Sequence, residues 1–194
     1  MGRRILILDG HPDPDPARYG HALASSYALG ATGVGHVVHR VNLSELDFPD
    51  LVSKRDWEDG EPAPAILSFQ DHLAWAEHVV IIYPLWLGDM PARLKAVLEQ
   101  AFRPAFAFGR KTVAPGGGKL KGRTARIVVT MGMPALIYRT FYLAHSLRSL
   151  KRNILALVGI GPVRDTVIGA IETRSAASRT RWLERLRRMG AQAA

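Results

Sequence analysis

Short apolar runs alternate with amphipathic stretches along the whole chain, and this alternation restricts the possible folds more than any other feature. A buried strand of a parallel sheet is a continuous run of branched apolar residues, whereas each connecting helix has one apolar face. The runs predict strands at residues 4–9, 36–42, 79–83, 125–130 and 163–168. Helices are predicted at 17–32 and 91–102, and a basic helix follows the last strand. The pattern therefore predicts an α/β protein with a five-stranded parallel sheet between two helical layers.

A three-layer sandwich of this kind is either flavodoxin-like or Rossmann-like, and in both folds ligands bind beyond the carboxyl ends of the strands. The 194 residues fit one domain, which we predict to cover residues 1–194. The segments after the first, third and fourth predicted strands are therefore the candidate binding loops.

The chain has no cysteine, which excludes a disulfide framework, thiolate metal ligands and a cysteine nucleophile. Its seven histidines form no close ligand motif, so we expect no metal. The longest apolar run, residues 79–87, is too short to cross a bilayer, so we expect no membrane insertion and a cytoplasmic location. The net charge of +9 raises the question of nucleic-acid or membrane-surface binding. Six arginines crowd residues 174–188, and attraction of anionic cofactors explains the charge at least as well, so we expect no nucleic-acid partner.

The first strand is followed by DGHPDPDP at residues 9–16, which is not a glycine-rich nucleotide loop. Its three prolines remove three amide donors, so a phosphate there would depend on the remaining amides and on side chains. Arg18 and His21 lie in the first turn of the next helix, where the helix dipole disfavours cations. A bound anion would remove this conflict, so we predict an anion site. The alternative is a proline-stiffened turn with solvated charges.

The third strand ends in YPLWLGDMP at residues 83–91, and the apolar side chains there have two interpretations. They would be unfavourable in water unless they line a pocket for a flat ligand. Alternatively, Leu85, Trp86 and Leu87 cover an edge of the core. The spacing alone does not choose between the two.

The fourth strand ends in TMGMP at residues 130–134, and an aromatic segment follows it. The residues Tyr138, Phe141, Tyr142 and His145 are spaced to share one face of a helix. A Tyr–His pair beside a ligand can donate or shuttle a proton, because imidazole titrates near neutrality. The alternative, which the spacing by itself favours, is an aromatic stripe packed in the core.

Taken together and in this order, the three strand ends resemble the flavodoxin-like NAD(P)H:quinone oxidoreductases, a family that includes drug-modulator and potassium-efflux-ancillary oxidoreductases. The resemblance spans residues 4–172, and its most specific part is the combination of PLW with PAxLK. It rests on DGHP at 9–12, YPLW at 83–86, MPARLK at 90–95, KLKGR at 119–123, VTMGMP at 129–134 and GI at 159–160. It implies a flavodoxin-like sandwich with strand order 2-1-3-4-5.

The resemblance also implies a flavin site built from the three loops. The flavin phosphate would be held by His11, Arg18, Tyr19 and Gly20. The isoalloxazine ring would lie along Pro84, Leu85, Trp86 and Leu87. Its pyrimidine edge would face Thr130, Met131 and Gly132. The nearest matches to a catalytic pair used around hydride transfer are Tyr138 and His145.

The implied function is that of a flavin-dependent NAD(P)H oxidoreductase, which reduces quinones or similar flat acceptors by hydride transfer through the flavin. We expect FAD as cofactor, with FMN as the alternative, and NADPH or NADH as reductant. The alternative function is a regulatory or electron-carrier flavoprotein, such as an ancillary subunit of a transport system, without significant turnover.

Related enzymes are two-fold dimers with shared active sites, so we expect a homodimer. The aromatic residues expected to flank the flavin site are Phe102, Phe106, Phe108, Phe141 and Tyr142. We expect Phe106 or Phe108 of one chain to roof the site of the other. The alternative is a monomer in which residues 104–122 fold over their own site.

Overall fold

A computed structural model describes residues 2–109 and 118–194, and these residues form one parallel sheet with helices on both faces. The strands are β1 (Arg4–Asp9), β2 (Val37–Asn42), β3 (His78–Pro84), β4 (Thr124–Thr130) and β5 (Val163–Ile168). They pair in the order β2-β1-β3-β4-β5. The predicted flavodoxin-like sandwich and its strand order are confirmed, and the first and fifth strands have the predicted bounds.

Eight α-helices connect the strands within the described residues. They are α1 (Tyr19–Thr32), α2 (Lys54–Asp59), α3 (Pro64–Trp75), α4 (Ala92–Ala101), α5 (Pro104–Ala107), α6 (Ala135–Thr140), α7 (His145–Ser149) and α8 (Ala176–Ala191). A 3₁₀ turn covers Leu43–Glu45, and a π-helical segment covers Leu150–Leu155. Neither α2 nor α3 is among the predicted helices. Part of the predicted 104–122 excursion, residues 110–117, lies outside the described residues.

The core has two apolar layers because successive residues of each strand point to opposite faces of the sheet. Ile5 and Ile7 face α1 and α8, whereas Leu6 and Leu8 face α3 and α4. Both faces of the central strands β1, β3 and β4 are buried, which explains why these strands are nearly continuous apolar runs. Of the helices in the described residues, none is long and apolar enough to span a bilayer.

The prediction that Tyr138, Phe141, Tyr142 and His145 share one face of a single helix is wrong. The helix α6 ends at Thr140, and α7 begins at His145. Between them Leu143 and Ala144 have φ angles of +52° and +49°, in the left-handed region that ends a right-handed helix. The spacing of the aromatic residues is helical, but the backbone that carries them is not a single helix.

Two of the five aromatic residues expected to flank the flavin site are buried in the core of their own chain. Phe102 and Phe108 pack in the layer under α4, and the half-buried Phe106 packs against the same layer. Only Phe141 and Tyr142 present most or about half of their surface to solvent. Of Phe106 and Phe108, the two residues expected to roof a partner's site, only Phe106 is therefore partly exposed to solvent.

A buried histidine at the start of β3 makes the fold sensitive to acid. His78 is almost fully buried, and its Nδ1 lies 2.7 Å from Oγ1 of Thr124. Its Nε2 has no hydrogen-bond partner among the described residues. Burial, followed by the positive charge of Arg3, lowers the pKa of His78 from 6.5 to about 4.

We expect the free energy of unfolding to fall by about 3 kcal/mol through His78 as the pH drops from 6.5 to about 4. The sign follows because the unfolded chain binds the proton at a higher pH than the folded chain does. Urea unfolding across this range measures the loss. The variant His78→Gln should flatten the profile, whereas His145→Gln, which changes an exposed ring, should keep it. An unchanged slope in His78→Gln would contradict the assignment.

Candidate functional site

Three loops meet at the carboxyl edge of the sheet because β1, β3 and β4 are neighbours. The chain passes from β1 to β2 on one side of β1 and then returns to β3 on the other side. The strand order therefore reverses between β1 and β3. Ligands of open α/β sheets bind at such a point. The loop after β3 is tied to the end of β4, since the amide of Leu85 donates to the Thr130 carbonyl at 2.7 Å.

The end of β1 holds a completely buried carboxylate, Asp9. One of its oxygens accepts hydrogen bonds from Nη2 of Arg40 and from Nδ1 of His21, each at 2.6 Å. Arg40 comes from β2 and His21 from the first turn of α1. A carboxylate without water is stable only when it is paired and hydrogen-bonded, so this cluster fixes three elements to one another.

His21 extends the cluster into the first loop. Its Nε2 lies 2.9 Å from the carbonyl oxygen of Asp13, while its Nδ1 faces the Asp9 carboxylate. Both partners are acceptors, so the partners assign protons to both ring nitrogens and a positive charge to the ring. The loop is thus shaped around a cation.

His11 is buried behind this loop with one ring nitrogen free. Its Nδ1 accepts the amide of Asp13 at 3.1 Å, which places the proton of the neutral ring on Nε2. Burial, and then the neighbouring charge of His21, lower the pKa of His11, which favours that neutral form. The Nε2–H has no partner among the described residues. The ring stands edge-on to Trp86, with centroids 5.9 Å apart, so His11 lies between the first and second loops.

Arg18 does not point freely into the site. Its Nε lies 2.7 Å from Oδ2 of Asp13, and its Nη2 lies 3.3 Å from Oδ2 of Asp15. The amide of Asp15, and then Arg18, lower the pKa of Asp13, so this carboxylate is charged at neutral pH. Exposed ion pairs of this kind contribute only about 0–1 kcal/mol, so an incoming phosphate can compete for the guanidinium.

The N-terminus of α1 is uncapped and offers backbone donors. Arg18 is the N-cap residue and makes no side-chain cap, and the first turn holds no acidic residue. Gly20 is buried in this turn, where an added Cβ would lie 3.6 Å from the ring of His11. Tyr19 is anchored by its hydroxyl, which donates to the Arg179 carbonyl at 2.7 Å. Free amides with flanking cations form an anion cradle.

The second loop is a rigid turn that displays apolar side chains. Trp86 and Asp89 exchange two backbone hydrogen bonds of 2.8 and 3.0 Å. Between them Leu87 and Gly88 have φ angles of +46° and +84°, the signature of a type I′ turn. Leu87 is fully exposed, Trp86 is about half exposed, and Leu85 packs against the core. The tightly held Trp86 and Leu87 can serve as a platform for a flat ring.

The third loop leaves backbone amides available among the described residues. The amide of Met131 donates to the Ile168 carbonyl at 3.0 Å, so it is already used within the sheet. Thr130 and Met131 are buried, whereas Gly132 is exposed and its amide has no partner among the described residues. Gly132 is therefore the exposed residue of this loop whose amide a ligand can reach.

The structure does not bring the predicted catalytic pair together. Tyr138 is buried, with its Oη 2.8 Å from Oγ of Ser146 and 3.2 Å from the amide of Leu147. His145 is exposed, on the far side of the left-handed turn. Their roles in hydride transfer stay predictions; the observed hydrogen bonds of Tyr138 connect α6 to α7.

The fold and the three loops define a flavodoxin-like protein with a candidate ligand site at its strand-order reversal. The model of a protein family described as having a flavodoxin-like fold matches residues 3–189, and the chain belongs to that family. The structure of an NAD(P)H:quinone oxidoreductase from Methanothermobacter marburgensis has a TM-score of 0.80 and 21% identity, covering 99% of this chain and 97% of the other. At this identity the likeness shows the fold.

Three curated relatives are oxidoreductases by name, and others are ancillary proteins of a potassium-efflux system, which confirms the resemblance predicted from the motifs. An uncharacterized NAD(P)H oxidoreductase of Haemophilus influenzae is 25% identical over 183 residues, 92% of this chain and 90% of the relative. A ribosyldihydronicotinamide dehydrogenase-like protein of Penicillium crustosum is 25% identical over 158 residues, 66% of this chain and 57% of the relative. An FMN-dependent NADH:quinone oxidoreductase of Ruegeria pomeroyi is 30% identical over 95 residues, 39% of this chain and 47% of the relative. The matched segment thus spans about half the length of the Penicillium and Ruegeria relatives.

The Asp9 cluster is the part of the site that sequence reasoning missed. The sequence does indicate a buried carboxylate, because an aspartate ends an apolar strand that must be buried. It does not identify the partners of Asp9, since Arg40 is 31 positions away and His21 is 12 positions away.

We expect Asp9→Asn to lower the free energy of unfolding by about 3 kcal/mol, because it leaves Arg40 and His21 facing a neutral amide. The first loop should lose its shape, and added flavin should bind at least tenfold more weakly. Urea unfolding and flavin titration measure the two effects. Asp50→Asn, at an exposed position, is the matched control. Wild-type stability in Asp9→Asn would show that the cluster does not hold the loop.

Proposed function

We propose that this chain is a flavin-dependent NAD(P)H oxidoreductase that reduces quinones or similar flat acceptors. The observation that carries the proposal is the placement of an anion cradle and an apolar platform on either side of the strand-order reversal. A phosphate and a fused ring, joined by a short chain, are the two ends of a flavin. The names of the curated relatives support the same chemistry.

The residues present fit a flavin at both ends. The phosphate would be held by the Nε2–H of His11, the guanidinium of Arg18 and the free amides of Tyr19 and Gly20. The ring would rest on the loop Pro84–Leu87, with Trp86 and Leu87 as its apolar surface. The exposed amide of Gly132 would donate to the pyrimidine edge, where it would stabilise negative charge on the reduced ring.

The bound flavin would accept a hydride from NADPH or NADH and pass it to the acceptor. The protein would orient both partners on one platform and keep water from the covered face. Of the predicted pair, His145 is exposed to solvent and Tyr138 is buried. We predicted FAD as cofactor; the name of the Ruegeria relative favours FMN, and the mass of the released flavin distinguishes the two. A cytoplasmic location accords with the absence of cysteine.

The purified protein should carry the visible absorbance of a flavin, and anaerobic NADPH or NADH should bleach it within seconds. A quinone added afterwards should restore the colour. A coloured protein that neither reductant bleaches would overturn the enzyme and leave the electron-carrier or regulatory alternative. A protein that binds neither FAD nor FMN would overturn both.

Trp86→Leu should weaken flavin binding by about tenfold, because it removes an aromatic surface from the ring platform. Fluorescence titration with the flavin measures the change. Trp75→Leu changes a half-buried tryptophan on α3 and serves as the matched control. Equal flavin affinity in the two variants would place the ring elsewhere.

We also propose that the chain forms a homodimer. A groove of about 660 Å³ is lined by residues of α2, α4 and the π-helical segment. Its lining is mostly apolar and includes the largely exposed Val52 and the side chains of Trp57, Leu98 and Leu157. A second copy would cover this apolar surface and could bring its Phe106 towards the neighbouring flavin loops.

Light scattering at low micromolar concentration should give twice the chain mass of 21.3 kDa. Val52→Asp should shift the protein to the monomer, because a charge in the contact would lose its water. Leu67→Asp changes an exposed leucine on α3 and should leave the dimer intact. A wild-type monomer with full reductase activity would exclude a shared site.

A further inference from the structure

Two histidines that lie 33 positions apart in the sequence meet at one edge of the sheet. His39 belongs to the edge strand β2, and His72 belongs to the last turn of α3. Their Nδ1 atoms are 2.9 Å apart. The last turn of α3 precedes the start of β3, so the pair lies towards the amino ends of the strands and away from the three candidate binding loops. Neither histidine lines the groove that we propose as the dimer contact.

Packing between β2 and α3 holds the two rings. His39 stacks on Trp75 of α3, with ring centroids 4.0 Å apart and planes 8° from parallel. The rings of His39 and His72 are nearly perpendicular, at 78°, with centroids 4.7 Å apart. All three side chains are partly buried. The fold therefore positions both imidazoles before any ligand binds.

The distance between the two Nδ1 atoms matches a pair of metal ligands. Bonds from a transition metal to an imidazole nitrogen are about 2.0–2.1 Å long. Two such bonds enclose an angle of about 90° when their nitrogens are 2.9 Å apart. This angle suits the square-planar or tetragonal ligand shells of Cu²⁺ and Ni²⁺, whereas the tetrahedral shell of Zn²⁺ needs about 109°. Of the divalent first-row ions, Cu²⁺ also binds nitrogen ligands most tightly.

The protonation of the pair is compatible with a metal ion. Burial, followed by the charge of His39, lowers the pKa of His72, which favours the neutral ring that a metal requires. In the free pair one Nδ1–H donates to the other Nδ1. A metal needs both Nδ1 lone pairs, so the donating ring would move its proton to its own Nε2. No hydrogen bond within the described residues occupies either Nε2, and the carboxylate of Asp71 adds negative charge near His72.

We propose that His39 and His72 form a binding site for a divalent transition-metal ion, with Cu²⁺ preferred. The part of the chain that the structure describes contains no group of three or more histidine, aspartate or glutamate side chains that could hold a metal ion together. The protein would thus supply two ligands, and water would complete the shell. The ion would connect the edge strand β2 to α3. The alternative is that a hydrogen bond between the rings joins these two elements and binds no metal.

Titration with Cu²⁺ tests the site. Cu²⁺ quenches tryptophan fluorescence at short range, and Trp75 touches His39, so the fluorescence of the wild type should fall and saturate at one ion per chain. His39→Gln and His72→Gln should each lower the affinity for Cu²⁺ by about tenfold or more, because one imidazole remains. His145→Gln removes an exposed histidine outside the pair and should bind as the wild type does. Trp75→Phe keeps a ring against His39, so calorimetry should show an unchanged affinity while most of the quenching is lost.

Electron paramagnetic resonance of the wild type gives a readout that needs no variant. The Cu²⁺ form should show nitrogen couplings from two imidazoles. A spectrum with one imidazole would overturn the proposal, as would Zn²⁺ binding as tight as Cu²⁺ binding, or equal Cu²⁺ affinity in the wild type and both pair variants. The site does not depend on the flavin, so copper binding by a protein without flavin or reductase activity would support the metal site and contradict only the proposed function.

Discussion

The buried carboxylate of Asp9 is the constraint on which the ligand edge of this protein depends. It has no exposure to water, so it requires cationic partners, and the sheet and α1 supply Arg40 and His21 at 2.6 Å each. His21 then reaches the Asp13 carbonyl. One ionic cluster therefore connects β1, β2, α1 and the first loop. The position of the proposed anion cradle follows from that connection.

The rest of the site depends on backbone geometry rather than on charge. Leu87, Leu143 and Ala144 adopt left-handed conformations, and all three lie in loops that follow β3 or β4. The strands β1, β3 and β4 are buried, so they can hold such turns in place. The carboxyl edge thus combines a rigid scaffold with apolar side chains that no part of the described chain covers. This combination is suited to a flat ligand near β1 and β3.

The sequence by itself determined the fold. The central strands β1, β3 and β4 are buried on both faces and are nearly continuous apolar runs, which makes them readable in the sequence. All five strands were predictable to within a residue or two. Strand ends then locate the ligand loops, because parallel strands end at one edge. Short helices such as α2 could not be predicted, since six residues contain too little periodicity.

Only the tertiary structure decided which side chains of the predicted site are available. Sequence spacing placed Tyr138 and His145 on one face, but a left-handed turn separates them and burial ties Tyr138 to Ser146. Phe102 and Phe108 were expected to flank the flavin site and are packed in the core. These cases have one physical reason. The local sequence pattern predicts the period of the backbone and how buried a segment is on average. The partner that satisfies or covers a given side chain is set by chain segments that meet only when the sheet has formed.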